Sequence, residues 1–487
     1  MESTEHFQRI VAQEGGLRRT LTGAQMAMIA IGGAIGTGLF MGSGFAISFA
    51  GPSVIISYAI GAVVALLLMG CLAEMTVAHP TPGSFGAYAD FYLSPWAGYL
   101  VRYAYWASIV LAIGAEVTAV AIYMQYWFPS SPAWAWILVF AGSLVFVNAL
   151  SVNVFGFVEY WFCVIKIAAI VAFILIGAHV VYGAPAGGAI GFRNYVDHGG
   201  FLPKGVWGTW VAVIVAIFSY LSIEMIAVAA GEAQDPERAV VSAFRNAVVR
   251  LVVFYLLTLA LMLAIVPWTE ASSGKSPFVQ AMEAVRIPGA AHIINFVVLI
   301  AALSAMNSQL YITTRMMFSL SRGGYASPRL GALNAHGVPV NALALSCLGI
   351  AVAGTLSVVY KEASFVLMMA ISMFGALFTW MMIFVTHFFF RRRWRRDGHP
   401  RLPFRMWAFP YSTLLGAGLM LAIMATTLFT AEFKATLWTG VPFLLLLSAV
   451  YGLFYRAGRR VEAPATAQAT ASATLMPSTP ADRIPPA

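Results

Sequence analysis

Two long apolar stretches of this chain contain residues that a continuous lipid-facing helix avoids. The first, at residues 29–40, reads IAIGGAIGTGLF and places four glycines within seven positions. The second, at residues 216–226, reads AIFSYLSIEMI and carries the carboxylate of Glu224 in an apolar run. A break in a membrane helix leaves backbone N–H and C=O groups without partners, so such a break must line a cavity. Paired breaks in corresponding halves of a chain point to the binding site of a secondary transporter.

The composition is that of a membrane protein. Of the 487 residues, 60% are hydrophobic and only 10% are charged, which excludes an ordinary soluble domain. About 20 apolar residues cross the hydrocarbon core as a helix. By that length we predict an all-α integral membrane protein with twelve transmembrane helices, centred near residues 36, 64, 112, 142, 170, 219, 257, 302, 350, 376, 419 and 447.

The distribution of the basic residues argues against nucleic acid as the reason for the net charge of +9. With twelve spans, nineteen Lys and Arg residues fall on the side of both termini and six on the opposite side. This asymmetry follows the positive-inside rule, so we expect a multi-pass protein with cytoplasmic N- and C-termini. The arginine cluster at residues 391–396 is then a topological anchor beside anionic lipid. A specific lipid or partner site there is the less favoured alternative.

The two breaks lie five helices apart, which predicts two inverted repeats. We expect a cytoplasmic N-terminal segment at residues 1–22, a twelve-helix domain at 23–457 and a disordered cytoplasmic tail at 458–487. The repeats are expected at about 23–182 and 206–389, with helices 11 and 12 appended at about 409–457 for packing or for contacts in a homodimer. The loop at residues 78–88 begins with helix breakers, and it either lies along the interface or plugs an inner vestibule.

The first break has the chemistry to bind both charged ends of an α-amino acid. Gly36, Thr37 and Gly38 let the backbone unwind, and the half-helix that starts there points its N–H groups into the cavity. A carboxylate is the natural occupant, assisted by the Thr37 hydroxyl. The preceding half-helix ends in carbonyls near Ala34, which suit an ammonium group. Close helix packing through small residues is the alternative.

The second break is predicted to complete the ammonium site. Carbonyls of Phe218 and Leu221 are the candidate acceptors, the Phe218 ring is a candidate gate, and Ser222 is included among the substrate-binding residues. Core packing is the alternative for Phe218. Glu224 is costly in a membrane unless it is paired or faces water. It either acts directly in coupling or accepts hydrogen bonds from backbone groups that the break frees.

Two further ionisable residues lie deep in apolar helices. Ile109, Ile113 and Glu116 share a helix face by their i, i+4, i+7 spacing, which predicts an apolar side-chain pocket with one carboxylate at its rim. A buried lysine such as Lys166 can gain and lose a proton and can replace a sodium ion as a positive charge. A static pair of Lys166 with Glu116, Glu159 or a broken-helix carbonyl is the alternative. The proton-coupling candidates are Lys166, Glu116 and Glu224.

Other polar residues carry weaker signals. Arg102 and Glu159 lie near helix ends, where snorkelling or pairing with loops is expected. The histidines have no metal-ligand spacing, and the sequence contains no GxxxxGK phosphate loop. We therefore predict neither a metal nor another cofactor, and no enzyme activity.

Taken together, the motifs resemble bacterial amino-acid permeases of the amino acid transporter family, in the amino acid–polyamine–organocation (APC) superfamily. The resemblance runs from about residue 17 to residue 455. The segments that carry it are residues 32–40, 42–44, 50–52, 82–88, 123–129, 159–166, 231–236 and 307–308. One departure is Ser222, where many relatives have glycine.

The resemblance implies a leucine-transporter-like fold of five-plus-five inverted repeats with helices 1 and 6 broken. It also implies proton-coupled uptake, with the substrate carboxylate at Thr37 and Gly38 and the ammonium at the carbonyls of Ala34, Phe218 and Leu221. We expect a bacterial inner-membrane symporter for a neutral or aromatic amino acid. An amino-acid or amine exchanger and, less favoured, a non-transporting nutrient sensor are the alternatives.

Overall fold

The chain is almost entirely helical in its computed structural model, which describes residues 7, 10–32, 35–183, 191–271, 276–359 and 364–455. Single π-helical turns occur at Gly38–Gly42, Leu251–Leu257 and Tyr451–Tyr455. The α-helices are α1 (Gly23–Gly32), α2 (Ser43–Ala50), α3 (Val54–Ala78), α4 (Ser84–Tyr92), α5 (Pro95–Gln125), α6 (Ala133–Leu150), α7 (Val152–Tyr182), α8 (Gly205–Ser219), α9 (Met225–Ala229), α10 (Pro236–Arg250), α11 (Thr258–Ile265), α12 (Trp268–Ala271), α13 (Pro277–Val285), α14 (Ala290–Arg322), α15 (Val340–Ser346), α16 (Leu348–Val359), α17 (Ser364–Arg396), α18 (Tyr411–Thr426) and α19 (Lys434–Val450).

Many of these helices are long and apolar. Within the described residues, seven helical stretches are long and apolar enough to cross a membrane: Gly38–Ala78, Pro95–Gln125, Ala133–Leu150, Val152–Tyr182, Ala290–Arg322, Phe365–Arg396 and Ala431–Tyr455. Shorter apolar helices are Gly205–Ser219, Val253–Ile265, Val340–Leu356 and Tyr411–Thr426. The expectation of an all-α membrane protein is confirmed at this level.

Helical structure is interrupted at both places that the sequence indicated. The first break separates α1 from the π-helical turn that leads into α2, with Ile35 and Gly36 outside any helix and residues 33 and 34 outside the described residues. The second break comprises residues 220–224, which form turns between α8 and α9. α2 packs against α8, so the two interrupted segments lie side by side.

α5 is the central helix of the fold. It packs most extensively against α17 and α14, and also against α16. Most of its residues are buried, whereas α6 and α19 expose large apolar side chains such as Leu138, Phe146 and Leu445. Exposed apolar faces of this size are expected where a helix meets lipid.

The segment after α3 enters the protein and does not lie on its surface. Every residue of α4 is buried, and the ring of Phe85 packs edge-on against Tyr105 of α5 at a centroid distance of 4.8 Å. Of the two positions that the sequence left open for residues 78–88, this burial favours the internal one over the membrane interface. The predicted tail at 458–487 and residues 1–6 lie outside the described residues.

The contact between the two interrupted segments gives a testable prediction. A Cβ at Gly38 would lie 2.5 Å from the Cα of Ser219, so Gly38→Ala must separate the π-helical turn from α8. Overpacking of this kind costs about 1–3 kcal/mol. We expect a lower melting temperature of the purified protein in a thermal-shift assay.

Gly142→Ala is the matched control, because Gly142 of α6 has open space where the Cβ would go. That substitution should leave the melting temperature unchanged or raise it slightly, since alanine favours the helix. Equal melting temperatures for the two variants would contradict the close approach at Gly38.

Candidate functional site

The first break lies against residues from two other helices. A Cβ at Gly36 would lie 2.7 Å from the Cβ of Ala305 in α14 and 3.3 Å from Oε1 of Glu116 in α5. The backbone therefore lies close to neighbouring helices at two glycines, at Gly36 against α14 and α5 and at Gly38 against α8. The sequence therefore needs glycine here, and the Glu116 carboxylate lies against the break.

The ammonium of Lys166 lies where the first helix is interrupted. Lys166 is fully buried in α7, and its Nζ donates to the carbonyl of Ile35 at 3.1 Å and to the hydroxyl of Ser304 at 2.7 Å. The neighbouring Ala34, predicted to supply a carbonyl, lies outside the described residues. A carbonyl at the break of the first helix is therefore one direct hydrogen-bond partner of Lys166, which is one of the static pairs that the sequence left open.

Ser304 joins Lys166 to a buried carboxylate. The Ser304 hydroxyl donates to Glu159, and Nδ2 of Asn307 donates to the other oxygen of Glu159 at 3.0 Å. Asn307 in turn accepts from Nδ2 of Asn148 at 2.7 Å. A cation and an anion are thus connected through one hydroxyl group, which offsets part of the cost of burying both charges. The expectation that Glu159 snorkels or pairs with a loop was wrong, because its side chain is 0% exposed.

Glu224 holds the second break in place. Its carboxylate accepts hydrogen bonds from the hydroxyl of Tyr105 at 2.5 Å, from Nε1 of Trp380 at 3.2 Å and from the amide of Ser222 at 3.3 Å. Ser222 has a φ of +73°, a left-handed conformation that favours glycine. Of the two roles that the sequence left open, Glu224 therefore has the structural one, because it accepts a hydrogen bond from the backbone amide of Ser222.

Phe218 lies in the last turn of α8, just before the second break, and Leu221 lies within the break. Both side chains are buried. The Phe218 carbonyl, a predicted acceptor for the substrate ammonium, already accepts a hydrogen bond from the Leu221 amide at 3.2 Å within the turn. The Phe218 ring lies edge-on to Phe365, with 6.4 Å between the centroids. The ring is therefore positioned by an aromatic neighbour from α17.

One face of α5 connects the two breaks. Tyr105 contacts Glu224 of the second break, and Glu116 lies against Gly36 of the first. Between them on the same face are Ile109 and Ile113, both fully buried. The predicted apolar face thus runs from one break to the other.

Several buried polar atoms near the breaks have no hydrogen-bond partner among the described residues. They are Thr37 Oγ1, Glu116 Oε2 and Ser222 Oγ. Buried polar atoms are normally paired, and an unpaired one costs free energy. Thr37 follows Gly36 in the chain, and Glu116 lies against Gly36, so two of these atoms belong to the first break. A polar ligand at this position would supply the missing partners.

A second buried network lies beside α4, and the sequence did not single it out. It centres on Glu14, whose carboxylate accepts from the Thr81 hydroxyl, the Gly83 amide at 2.9 Å, the Ser319 hydroxyl at 2.5 Å and Arg102 at 3.4 Å. Arg102 is 2% exposed and also pairs with Asp90 at 3.2 Å. Arg102 therefore pairs with loop and helix carboxylates and does not snorkel. This network connects the N-terminal segment to α4, α5 and α14.

Comparison with known proteins identifies the family. The family model described as amino acid permease matches residues 25–462, which is most of the 487 residues. The chain belongs to the amino acid permease family. The resemblance read from the motifs is thereby confirmed, and the relatives of this permease are transporters and not enzymes.

Three relatives with different names are similar to this permease over most of its length. This permease is 39% identical over 445 residues to the amino-acid permease RocC of Bacillus subtilis, covering 90% of this chain and 94% of the relative. It is 36% identical over 430 residues to the gamma-aminobutyric acid permease of the same organism, covering 88% and 92%. It is 35% identical over 451 residues to the aromatic amino acid transport protein AroP of Salmonella typhimurium, covering 93% and 97%.

The unpaired hydroxyl of Thr37 gives a second prediction. Thr37→Val keeps the shape of the side chain and removes the hydroxyl, so it should weaken binding of the amino acid that stabilises the protein most in a thermal-shift screen. Loss of a hydrogen bond to a charged group costs about 1.5–3 kcal/mol, which corresponds to a dissociation constant raised about tenfold or more.

Thr386→Val is the control for this substitution. The Thr386 hydroxyl is bonded at 2.6 Å to the carbonyl of Met382 in its own helix, so its loss should leave the dissociation constant unchanged. Calorimetric titration of both variants measures the difference. Unaltered affinity in Thr37→Val would count against a role of Thr37 in binding.

Proposed function

We propose that this permease is a secondary active transporter that imports an amino acid by proton symport with alternating access. The observation that carries the proposal is the buried ammonium of Lys166 at the carbonyl of Ile35, in the interruption of the first helix. Transporters with discontinuous helices bind their coupling ions at such freed carbonyls. A lysine in this position supplies the positive charge from within the protein, and the proton on its ammonium group would be the coupling ion.

The substrate is proposed to bind between the two breaks. Its carboxylate would occupy the N-terminal side of the π-helical turn, with the amides of residues 36–38 and the Thr37 hydroxyl as donors. Its ammonium would face the carbonyls of Ala34, Phe218 and Leu221. The Thr37 hydroxyl supports the carboxylate position, because it makes no close hydrogen bond among the described residues, although the Glu116 carboxylate lies near it.

The proposed side-chain pocket follows the face of α5 that runs between the breaks. Ile109 and Ile113 give it an apolar wall, and Phe218 would close over the ligand as a gate. This lining supports a neutral or aromatic amino acid as substrate. The name of one relative includes aromatic amino acids, which is compatible with this choice.

Proton coupling is proposed to centre on Lys166 and Glu116. Oε2 of Glu116 has no hydrogen-bond partner among the described residues, so this carboxylate is available to a proton or to the substrate. Glu224 accepts three hydrogen bonds at the second break and is the weaker candidate. A bound proton or substrate shifts the balance of outward-facing and inward-facing states only through its different affinity for the two states.

The conformation described here is proposed to be closed towards the cytoplasm. Glu14 joins the N-terminal segment to Gly83 before α4 and to Ser319 in α14, and all three residues are buried. Opening of the inner side would have to break this network. The plug formed by α4 and the Glu14 network would then act together as the inner gate.

We also propose the topology predicted from the sequence. Twelve spans would arise when α1 and α2 form one broken span and α8 and α9 another. The inverted repeats are placed at about 23–182 and 206–389, and the appended helices at about 409–457, where a homodimer contact is an option. The N-terminal segment at 1–22 and the tail at 458–487 would lie in the cytoplasm of a bacterium, with the permease in its inner membrane.

Exchange of amino acids or amines is the second candidate function. It is favoured by the Ser304 hydroxyl, which joins Lys166 to the carboxylate of Glu159. If Lys166 keeps its proton throughout the cycle, it serves as a fixed charge, and the permease exchanges substrates without net proton movement.

Substitution of Lys166 distinguishes the two functions. Lys166→Ala should abolish accumulation driven by a pH gradient in liposomes, because the titrating charge is lost, and should retain part of the exchange with preloaded substrate. Uptake of labelled amino acid, with and without the gradient, measures both activities. Lys434→Ala removes an exposed lysine and should transport like the unmodified permease. Undiminished gradient-driven accumulation in Lys166→Ala would rule out the coupling role.

Substitution of Glu14 tests the inner gate. Glu14→Ala removes the acceptor of the Gly83 amide and of three side chains, so amides in α4 should exchange with deuterium about tenfold faster. Hydrogen–deuterium exchange read by mass spectrometry measures this change. Glu432→Ala, at an exposed carboxylate, is the control. Unchanged protection of α4 would contradict a gate held by Glu14.

A further inference from the structure

A polar cavity lies at the C-terminal end of α17, apart from the residues of the proposed binding site. Its volume is about 290 Å³. Its lining includes Arg391, Arg395, Arg401, Arg405, Glu74 and Trp394. Four arginines against one glutamate leave this lining with an excess of three positive charges.

The glutamate of the cavity is already engaged. Glu74 accepts hydrogen bonds from Nε of Arg391, from Nε2 of His387 at 3.1 Å and from the amide of Met406 at 2.8 Å. Arg391 also donates to the carbonyl of Met406 at 2.9 Å. This buried pair holds the loop after α17 onto α3, and it leaves Glu74 with little capacity to neutralise another arginine.

The other three arginines have no acidic partner among the described residues. Arg395 lies over the ring of Phe409 at 5.3 Å, and both Arg395 and Arg405 are near enough to Arg391 to oppose its charge. The acid that follows α17, Asp397, pairs with Arg393 at 3.6 Å and with Arg396 at 3.2 Å, outside the cavity lining. Like charges gathered at one cavity repel each other, and a bound anion removes that repulsion.

The walls of the cavity are fixed by contacts within the loop. Nε1 of Trp394 donates to the carbonyl of Pro400 at 3.0 Å, and the ring of Trp394 lies against that of His399 at a centroid distance of 4.4 Å. The amide of His399 also donates to the Trp394 carbonyl at 3.2 Å. The arginines therefore converge on a shaped cavity that the loop and α17 build together.

Exposed apolar residues follow the cavity in the chain. Trp407 and Tyr411 are 65% and 77% exposed, and Leu414 and Leu415 of α18 are each 53% exposed. Tryptophan and tyrosine are enriched where a membrane protein meets the headgroup region. A ligand that enters the cavity with a charged group can therefore place apolar chains along the start of α18.

We propose that this cavity binds the phosphate group of an anionic membrane lipid, whose acyl chains lie along the start of α18. Guanidinium groups bind phosphate oxygens in pairs, and basic pockets beside membrane helices are suited to anionic headgroups. Free phosphate has the same anionic chemistry but lacks the chains. A topological anchor, by contrast, needs positive charge at this end of α17 but no particular cavity.

The test compares two double substitutions in the full-length purified permease. Arg401→Gln with Arg405→Gln removes two charges from the cavity. Arg392→Gln with Arg396→Gln removes two charges from the same region, where Arg392 lies over Phe388 and Arg396 pairs with Asp397. Each protein is titrated with phosphatidylglycerol, with phosphatidylcholine of the same acyl chains and with inorganic phosphate, and binding is measured by native mass spectrometry.

We expect the cavity variant to bind phosphatidylglycerol about tenfold or more weakly than the unmodified permease, and the control variant to lose about twofold at most. Phosphatidylcholine should bind weakly to all three proteins. Equal loss in both variants, or no loss in the cavity variant, would overturn the site. Inorganic phosphate that binds as tightly as phosphatidylglycerol would overturn the assignment to a lipid. Equal melting temperatures without lipid exclude misfolding as the cause.

Discussion

The hydrogen bond from the Lys166 ammonium to the Ile35 carbonyl is the contact on which the proposed binding region depends. A helix that stops inside a membrane protein leaves carbonyl groups that must be paired. Lys166 pairs one of them and is itself connected, through Ser304, to the carboxylate of Glu159. The charge and the break therefore stabilise each other, and loss of either would leave a buried polar group unpaired.

α5 turns two local interruptions into one site. Tyr105, in the first half of α5, donates a hydrogen bond to Glu224 at the second break. Glu116, in the second half of α5, lies against Gly36 at the first break. A movement of α5 relative to α8 would therefore alter both breaks together. The same helix carries Arg102, which reaches the Glu14 network beside α4. One rigid element thus connects the proposed binding region to the proposed inner gate, which is the kind of physical link that alternating access requires.

The sequence predicted the features that follow from local chemistry. Glycines at 36 and 38 and a carboxylate at 224 are unusual in apolar helices, so both breaks could be predicted from the sequence. The role of Ser222 was only partly predictable, because the sequence marked it as a departure from the resembled family but did not show its left-handed backbone, a conformation that favours glycine. The Glu14 network could not be predicted, since it joins residues that are far apart in the chain and individually ordinary. Glu159 did carry a signal: with Cys163 and Lys166 it follows i, i+4, i+7 spacing, which places it on the lysine's face of α7.

A structure of the permease with a bound amino acid, determined by electron cryo-microscopy, would show where the ligand lies. We expect ligand density between the two breaks, with the carboxylate about 3 Å from the Thr37 hydroxyl and from the neighbouring amides, and with the ammonium facing residues 218–221. Density for the ligand elsewhere, with the first helix running unbroken through residues 33–37, would contradict this expectation.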